Sequence, residues 1–340
     1  MRIANEKLKS FQLNNMIKTR KLNPKAKSEI NTGFGINSSD YGGRFLNKNG
    51  QPNIEKRGLG YFEKISFYHI LLTMPRWKFF GTILIFYFLI NLTFGTIYFL
   101  LGVTEFAGIP THSKFDEFAE SFFFSCQTFT TVGYGGISPI GFLAGVFSSF
   151  EALIGLLSVA VVTGLLYGRF SKPKAYLRFS EKALLAPFHE GKAIMFRLAP
   201  FKNTILTDAE AKVSLGLIVE EDGKLVNKFF QLSLEYNSIN SLTLNWTIVH
   251  PITETSPFYN FTENDFKNSR GEIMVYVKAF DDMFSNTVVA RTSYTLDEII
   301  IGAAFEPMYH RSSKQNKTIL HLNKLNAFSM VEADLDNPLK

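Results

Sequence analysis

The chain has 340 residues, of which 46% are hydrophobic and only 19% are charged. Its mean hydropathy of +0.05 is high for a soluble protein and low for a protein made only of membrane spans, which predicts a membrane part joined to a soluble part. The single cysteine, Cys126, excludes a disulfide framework and a zinc site built from several cysteines. The net charge of +6 suggests a nucleic-acid partner, but the positions of the charges, described below, argue against one.

The first 60 residues are rich in Asn, Lys, Gly and Ser and show little hydrophobic periodicity. We therefore expect residues 1–60 to form a largely disordered N-terminus. The next segment, residues 61–78, has apolar side chains on much of one helical face and basic or aromatic side chains beside them. This pattern predicts an amphipathic helix that lies along the inner surface of a membrane.

Two segments predict membrane-spanning helices. Residues 79–101 contain no Asp, Glu, Lys or Arg, and residues 141–167 contain one charge, Glu151. At a rise of about 1.5 Å per residue, either segment can cross a hydrocarbon core of about 30 Å. Net charges of +10 over residues 1–78 and +5 over residues 168–200 flank the spans, whereas the segment between the spans carries −3. Basic flanks stay in the cytoplasm, so we expect a multi-pass protein of the plasma (inner) membrane with both termini inside.

The sequence Thr131-Val132-Gly133-Tyr134-Gly135 lies between the two predicted spans. A dehydrated potassium ion needs a cage of oxygens in place of its water, and backbone carbonyls form one when they point to a single axis. That arrangement needs backbone angles that glycine adopts readily, which explains the glycines at alternating positions. The pattern TVGYG is the signature of potassium-channel selectivity filters. One chain supplies a quarter of such a cage, so we expect four copies to assemble.

Residues 115–128 precede the filter and are predicted to form a short pore helix. Asp116, Glu117 and Glu120 lie near its N-terminus, where carboxylates interact favourably with the helix dipole.

Glu151 is the only ionisable side chain within a predicted span, which makes it a functional candidate. Two roles are open to it: a hydrogen-bonded structural carboxylate near the pore helix, which we favour, and a direct ion site in the cavity.

After Pro173 the hydrophobic pattern changes to a period of two, which is typical of half-buried strands. One such run extends over residues 242–249, and the pair Asp222-Gly223 predicts a hairpin turn. Several short strands within about 150 residues predict an antiparallel β-sandwich. The predicted domains are a disordered cytoplasmic N-terminus (1–60), an interfacial helix with a transmembrane pore domain (61–173) and a cytoplasmic β-sandwich domain (174–340).

Longer motifs surround these features. They are YHILLTMPRW before the first span, TVGYGGISP, GRFSKP after the second span, LTLNWTIVHPI, SPFYNFTENDF and ARTSYTLDEIIIGAAFEP. With these motifs the chain, from about residue 61 to 335, resembles an inward-rectifier potassium channel of the Kir type, and most of all its bacterial branch. The resemblance implies a homotetramer of two-helix subunits with a pore helix and an interfacial helix, followed by a cytoplasmic all-β immunoglobulin-like sandwich.

The resemblance also implies roles for residues of the second span. Gly155 and Gly164 fall on the two inner-helix glycines of the family, which permit either a gating bend or close packing between helices. Tyr167 lies where bacterial members narrow the pore, and Val159 lies two turns above it, so both are expected to form apolar rings at a gate. Val159 also occupies the position that is acidic in strongly rectifying members, so we expect weak block by polyamines.

Further positions stand out against the family pattern. Asp282 and Glu220 match acids of the cytoplasmic pore, and the alternative for either is a solvated surface charge. Gln127 and Gly136 stand where many members carry charged residues beside the filter. Because both charges are absent together, no unpaired buried ion remains, and bracing of the filter would rely on neutral hydrogen bonds.

A cluster of basic residues converges on the inner leaflet in the predicted topology. Each basic side chain near an anionic surface contributes about 1 kcal/mol of attraction. The cluster is interpreted either as ordinary positive-inside flanks or, as the resemblance implies, as a site for anionic phospholipid head groups that is coupled to the gate. Its members are Arg76, Lys78, Arg169, Lys172, Lys174, Arg178 and Lys182.

The leading hypothesis is a potassium-selective channel gated at its inner-helix bundle by the cytoplasmic domain and anionic lipid, with potassium in the pore and no cofactor. One alternative is a two-span potassium channel gated by a small cytoplasmic ligand, which would usually bring a βαβ domain with a GxGxxG sequence. Another is a non-conducting membrane-anchored binding module, which the intact filter motif disfavours. The six histidines show no paired-ligand spacing, and no Walker motif or Cys/His constellation points to an enzyme.

Overall fold

The computed structural model describes residues 22–28, 44–58, 60, 66–109, 113–221, 224–312 and 316–331. These residues belong to two compact units. The membrane unit lies within Lys56–Lys172, and the β-unit combines the described parts of Met1–Glu55 and Pro173–Lys340.

A short helix, α1 (Phe67–Thr73), opens the described part of the membrane unit. The Ser66 side chain caps it by accepting a hydrogen bond from the backbone N–H of His69. Met74 is extended because a residue before proline is disfavoured in the helical conformation, and Pro75 starts a new helix. The predicted helix over residues 61–78 is therefore too long at its C-terminal end, while residues 61–65 lie outside the described part.

The two predicted spans and the predicted pore helix are confirmed. The spans are 26 and 29 residues long, which corresponds to about 39 and 43 Å of helix. Both are long and apolar enough to cross a membrane. The helices are α2 (Arg76–Leu101), α3 (Lys114–Phe129) and α4 (Phe142–Phe170), with α3 as the pore helix.

The pore helix packs against both spans. Its N-terminus is capped by the Ser113 side chain, which accepts from the backbone N–H of Asp116. Gly95 on α2 allows a close approach, because a Cβ there would lie 2.9 Å from the Cα of Phe122. The apolar core of the unit consists of Phe94, Tyr98, Phe106, Phe124 and Ala144.

Two five-stranded sheets form the β-unit, and their facing side chains build its main apolar core. The strands of these sheets are β3 (Leu177–Phe179), β4 (Ala183–Phe188), β5 (Gly191–Pro200), β6 (Leu206–Glu221), β7 (Lys224–Leu232), β8 (Ser238–Ser241), β9 (Trp246–Pro251), β10 (Gly271–Asp281), β11 (Asn286–Thr295) and β12 (Ile299–Ile301). The first sheet has the strand order β11-β10-β6-β7, with β8 also paired to β6. The second sheet has the strand order β12-β4-β5-β3, with β9 also paired to β5.

The remaining elements are short. Three two-stranded ribbons pair β1 with β2, β13 with β16 and β14 with β15. They comprise β1 (Phe106–Ala107), β2 (Ser138–Pro139), β13 (Ala303–Phe305), β14 (Tyr309–Ser312), β15 (Lys317–Leu320) and β16 (Phe328–Met330). The helix α5 (Glu263–Asn268) and three single 3₁₀ turns, Val103–Glu105, Leu296–Glu298 and Leu322–Lys324, complete the described part.

Three details of the β-unit refine the sequence-based expectation. The predicted strand over residues 242–249 begins only at Trp246. The sandwich is not wholly antiparallel, since β12 runs parallel to β4. The predicted turn at 222–223 lies outside the described residues, although Glu221 and Lys224 on either side of it are paired.

Two described segments of the N-terminus bind the β-unit. We call residues 44–53 the strap. The carboxylate of Glu272 accepts hydrogen bonds from the backbone N–H groups of Phe45 and Leu46, and the Ser293 hydroxyl donates to the carbonyl of Leu46 at 2.6 Å. In the other segment, the Asn23 amide donates to two backbone carbonyls at 2.6 and 2.8 Å. These two segments thus make defined contacts with the β-unit, within an N-terminus that the sequence analysis predicts to be largely disordered.

Candidate ion-conduction site

The segment after the pore helix has an alternating backbone. Thr131, Gly133 and Gly135 have φ values of +58°, +53° and +81°. Left-handed geometry at every second residue is the pattern by which successive carbonyls come to face one side of an extended chain. The sequence analysis assigned such angles only to the two glycines, and the structure adds Thr131.

Backbone hydrogen bonds join this segment to the end of the pore helix. The N–H of Thr131 donates to the carbonyl of Thr128, and the N–H of Val132 donates to the carbonyl of Gln127, both at 3.0 Å. In a single chain the side chains of Val132 and Tyr134 are 54% and 82% exposed. These two apolar side chains therefore lack a covering surface within their own chain.

Glu151 is fully buried between the three main helices of the membrane unit. The Tyr98 hydroxyl of α2 donates to one carboxylate oxygen at 2.5 Å, and the Ser125 hydroxyl of the pore helix lies 2.5 Å from the other. Ser125 also lies 3.1 Å from the side-chain oxygen of Asn91, whose amide donates to a backbone carbonyl. Of the two roles weighed above, this geometry corresponds to the structural carboxylate. Tyr98, Ser125 and Asn91 were not anticipated, because a lone hydroxyl or amide carries no sequence signal for its partner.

The two glycines of α4 differ in their surroundings. A Cβ on Gly155 would lie 1.9 Å from the carbonyl oxygen of Phe129, at the end of the pore helix. A Cβ on Gly164 would meet nothing within 4 Å among the residues that the structure describes. Gly155 is thus a contact glycine, whereas packing within the chain gives no reason for glycine at 164. The side chains of Val159 and Tyr167 are exposed on α4.

Arg169 has a different role from the other predicted lipid ligands. Its guanidinium donates to the carbonyls of Leu71 at 2.5 Å and Met74 at 2.8 Å, and it lies 4.4 Å from the ring centroid of Phe79. These contacts hold the Arg169 guanidinium against the junction between α1 and α2. Three members of the basic cluster in the same unit are exposed: Arg76, Lys78 and Lys172.

The other basic candidates lie in the β-unit. Lys174 is exposed, and the Arg178 guanidinium lies 4.7 Å from the ring centroid of Phe201. Arg178 and Lys182 line a cavity of about 1210 Å³ together with Lys48 of the strap. The structure therefore brings two predicted lipid ligands together and adds two basic residues that the sequence analysis missed, Lys48 and Arg291.

The strap is held to the β-unit by a half-buried ion pair. Lys48 Nζ lies 3.0 Å from a carboxylate oxygen of Glu298, which also contacts Arg44. Burial lowers the pKa of Lys48 despite this pairing. Burial acts to raise the pKa of Glu298, but the hydrogen bond from Lys48 and the nearby cations outweigh it and hold this pKa below its ordinary value.

The two predicted cytoplasmic-pore acids do not come together within one chain. Asp282 follows β10, whose last residue pairs with Leu206 at the start of β6, and its carboxylate accepts from the Thr207 hydroxyl at 3.2 Å. Glu220 lies near the far end of β6, opposite Leu225. Fourteen residues of strand separate these ends by about 45 Å.

Two buried titratable groups of the β-unit were also missed. Burial lowers the pKa of His250 to about 4, against a weaker opposing effect of its hydrogen bond to the backbone of Ser233. Burial lowers the pKa of Arg197 to about 10, and the charge of Glu306 opposes this shift. Among the described residues no group of three His, Cys, Asp or Glu side chains is placed to hold a metal ion.

Comparisons with known proteins agree with this architecture. Residues 86–172 match the family described as "Ion channel", and residues 177–336 match "Inward rectifier potassium channel C-terminal domain". Inward rectifier potassium channel Kirbac3.1 of Paramagnetospirillum magnetotacticum is 34% identical over 273 residues, covering 78% of this chain and 89% of that protein.

Two animal relatives are more distant. Inward rectifier potassium channel irk-1 of Caenorhabditis elegans is 27% identical over 250 residues, covering 70% of this chain and 45% of its own length. ATP-sensitive inward rectifier potassium channel 12 of Bos taurus is 26% identical over 300 residues, covering 81% and 69%. All three relatives are named as ion channels rather than enzymes. With both units matched in order and the bacterial relative aligned over most of its length, the chain belongs to the inward rectifier potassium channel family, in its bacterial form.

Proposed function

We propose that four copies of this chain form a potassium-selective channel in which residues 131–135 of each chain supply a quarter of the filter. The observation that carries the proposal is the alternating left-handed backbone at Thr131, Gly133 and Gly135, between two helices able to span a membrane. Carbonyls arranged along one axis replace the water of a dehydrated potassium ion.

The exposed side chains beside the filter support assembly. Val132 and Tyr134 are uncovered in one chain, and so is Phe142 at the start of α4, which is 84% exposed. A ring of four chains gives such side chains neighbouring protein to pack against. The dry packing of Val132 and Tyr134 then holds the carbonyls at a spacing suited to potassium.

The gate belongs at the cytoplasmic end of α4 in this proposal. Val159 and Tyr167 are exposed on the helix within one chain, so four copies place apolar rings around a common axis. Apolar constrictions of this kind close a pore by dewetting. Movement of the β-domain reaches the gate through Lys172, Pro173 and Lys174, and Gly164 supplies the bend.

Anionic phospholipid head groups are the proposed regulatory ligand. Six cations of the predicted cluster, all except Arg169, are taken to face the inner leaflet, where each is attracted by about 1 kcal/mol. The exposure of Arg76, Lys78, Lys172 and Lys174 supports this role. The basic flanks support a plasma-membrane protein with both termini in the cytoplasm.

Ion flux into liposomes tests the function. Purified protein is reconstituted with and without anionic lipid, and uptake of potassium is compared with uptake of sodium. We expect uptake of potassium to exceed that of sodium, and the rate to change with the anionic lipid. Equal uptake of both ions, or none in any lipid, contradicts the proposal.

A matched pair of glycines tests the filter itself. Gly135 has a φ of +81°, which residues with an L side chain rarely adopt, whereas Gly136 has no such angle. A Cβ on either residue meets nothing within 4 Å in the described part of the chain. Gly135→Ala is expected to abolish the preference for potassium, and Gly136→Ala to keep it. Equal selectivity in the two variants contradicts the assignment of the filter.

Weak block by internal polyamines is part of the proposal, because Val159 offers no charge to a polyamine in the cavity. Val159→Glu is expected to create steep, voltage-dependent block by spermine in patch recordings, whereas Val159→Ala is expected to resemble the unaltered channel. Submicromolar block of the unaltered channel that Val159→Ala leaves intact contradicts this argument.

A further inference from the structure

Two histidines of the β-unit lie side by side on the ribbon formed by β14 and β15. His310 is paired in register with Ile319, and His321 follows two residues later on the same face. The Nδ1 atom of His310 lies 3.0 Å from the Nε2 atom of His321, and the two rings are within 15° of parallel. The regular register, rather than any spacing in the sequence, produces this pair.

The base of the ribbon is anchored, which fixes the backbone that carries the two rings. The N–H of His321 donates to the carbonyl of Met308 at 2.7 Å. Leu320 and Leu322, on either side of His321, pack against a buried cluster that includes Met308 and Leu325. A ligand pair held on a rigid element loses little conformational freedom when it binds.

The facing nitrogens are chemically suited to a shared ligand. As the rings stand, one facing nitrogen carries the proton that hydrogen-bonds to the other. Each neutral imidazole can move its proton to its outer nitrogen, which leaves both facing lone pairs free. A cation can then replace the shared proton without a change in the charge of either ring.

We propose that His310 and His321 form a chelating site for a divalent transition-metal ion that prefers adjacent nitrogen ligands at about a right angle, namely Cu²⁺ or Ni²⁺. With metal–nitrogen bonds of about 2.05 Å, a right angle puts the two nitrogens about 2.9 Å apart and a tetrahedral angle about 3.4 Å apart. The observed 3.0 Å lies near the right-angle value, but it is also the length of the hydrogen bond between the two rings, whose centroids lie 5.0 Å apart. Both rings must therefore turn about their side-chain bonds before their lone pairs face one ion.

Water completes the coordination shell in this proposal. His310 is exposed and His321 is partly exposed, so an ion reaches the pair from solvent. Within the described ranges no third His, Cys, Asp or Glu side chain joins the pair. The cation of Arg311 alternates to the opposite face of β14, so it is directed away from the two rings.

Calorimetric titration of the full-length, tag-free channel in detergent with NiCl₂ tests the site. We expect one Ni²⁺ per chain, and a loss of affinity of about tenfold or more in either His310→Gln or His321→Gln, with no further loss in the double variant. The matched control is His189→Gln, an exposed imidazole with a carboxylate neighbour but no second imidazole at hand. Circular dichroism of each variant checks that the fold is retained.

A second measurement does not depend on affinity. The electron paramagnetic resonance spectrum of bound Cu²⁺ is expected to show coupling to two nitrogens in the unaltered channel and in His189→Gln, and to one nitrogen in each single variant. Absence of binding, unchanged binding in His310→Gln, or an equal loss in His189→Gln overturns the proposal.

Discussion

At the scale of single residues, the two glycines of α4 are expected to have different roles: Gly155 permits a close contact with the pore helix, and Gly164 permits a bend of α4. Gly155→Ala drives a methyl group into the carbonyl of Phe129, two residues before Thr131, so it must displace the base of the filter. In Gly164→Ala the added methyl group meets no atom within 4 Å in the described part of the chain. We expect Gly155→Ala to lower potassium selectivity or prevent assembly, and Gly164→Ala to keep selectivity while altering the fraction of time open.

Liposome flux and single-channel recording measure these two effects separately. Unchanged selectivity in Gly155→Ala contradicts the contact inferred from the structure. Loss of selectivity in Gly164→Ala without a change in gating contradicts its assignment to bending.

The buried ring of His250 makes the stability of the folded β-unit depend on pH. Its Nδ1–H donates to the carbonyl of Ser233 at 2.6 Å, and its Nε2 lies 2.8 Å from the Ser256 hydroxyl, so the buried neutral ring is fully bonded. Because the pKa falls from 6.5 in the unfolded chain to about 4 in the folded one, the stability due to the neutral ring is complete above about pH 6.5. It is lost as the pH falls towards 4.

Between pH 7 and pH 5 this effect destabilises the β-unit by about 2 kcal/mol. Thermal unfolding of the detergent-solubilised channel at the two pH values measures it. His250→Gln is expected to be less stable at pH 7 but to lose less stability on acidification. His189→Gln, an exposed control, is expected to keep the full pH dependence, and an equal dependence in all three proteins contradicts the prediction.

At the scale of elements, one buried carboxylate holds the start of the strap. Glu272 is 3% exposed and accepts from two consecutive backbone N–H groups. Glu272→Gln replaces one acceptor oxygen by a donor, which leaves an N–H of the strap without a partner. We expect amide hydrogen exchange across residues 44–53 to become about tenfold faster or more, since one lost hydrogen bond is worth about 1 kcal/mol or more.

The control for the strap is Glu254→Gln, which removes the exposed ion pair with Lys25. Exposed ion pairs contribute little to stability, so exchange in the strap is expected to stay unchanged. Exchange that is the same in Glu272→Gln and in the unaltered protein contradicts the role of Glu272.

Helices and strands were predictable where a single pattern of hydrophobic residues determines them. Uninterrupted apolar runs predicted both spans, and the alternation over residues 242–249 predicted the strand β9, although β9 begins only at Trp246. The break at Met74 and Pro75 was missed because the amphipathic pattern continues across it, although a proline there was a usable signal. The strap was missed because its stability comes from partners about 230 residues away in the sequence, such as Glu272, and not from its own composition.

At the scale of the whole molecule, the charge distribution predicts orientation. Lys114, at the start of the pore helix, lies between the spans, and Lys317 lies in β15. In a background of Cys126→Ser, we expect Lys114→Cys to react with a membrane-impermeant maleimide in intact cells. Lys317→Cys is expected to react only after permeabilisation. Labelling in the reverse order contradicts the cytoplasmic position of the β-unit.

The candidate site was predictable in kind but not in its supporting contacts. The TVGYG pattern predicts residues 131–135 as the filter because the residues that form a carbonyl cage are consecutive in the sequence. The partners of Glu151 come from two other helices, and the pairing of His310 with His321 comes from strand register. Contacts of this kind arise only when distant segments meet, so a single sequence contains no local pattern for them.

The position of Arg169 has a mechanical consequence. Arg169 lies near the C-terminal end of α4. Its guanidinium donates to the carbonyls of Leu71 and Met74, between α1 and α2, and lies over the ring of Phe79 near the start of α2. A displacement of α4 must either move the junction between α1 and α2 with it or break these two charge-assisted hydrogen bonds. Arg169 therefore ties the C-terminal end of α4 to the junction between α1 and α2, and we expect a movement of that junction to be transmitted to α4.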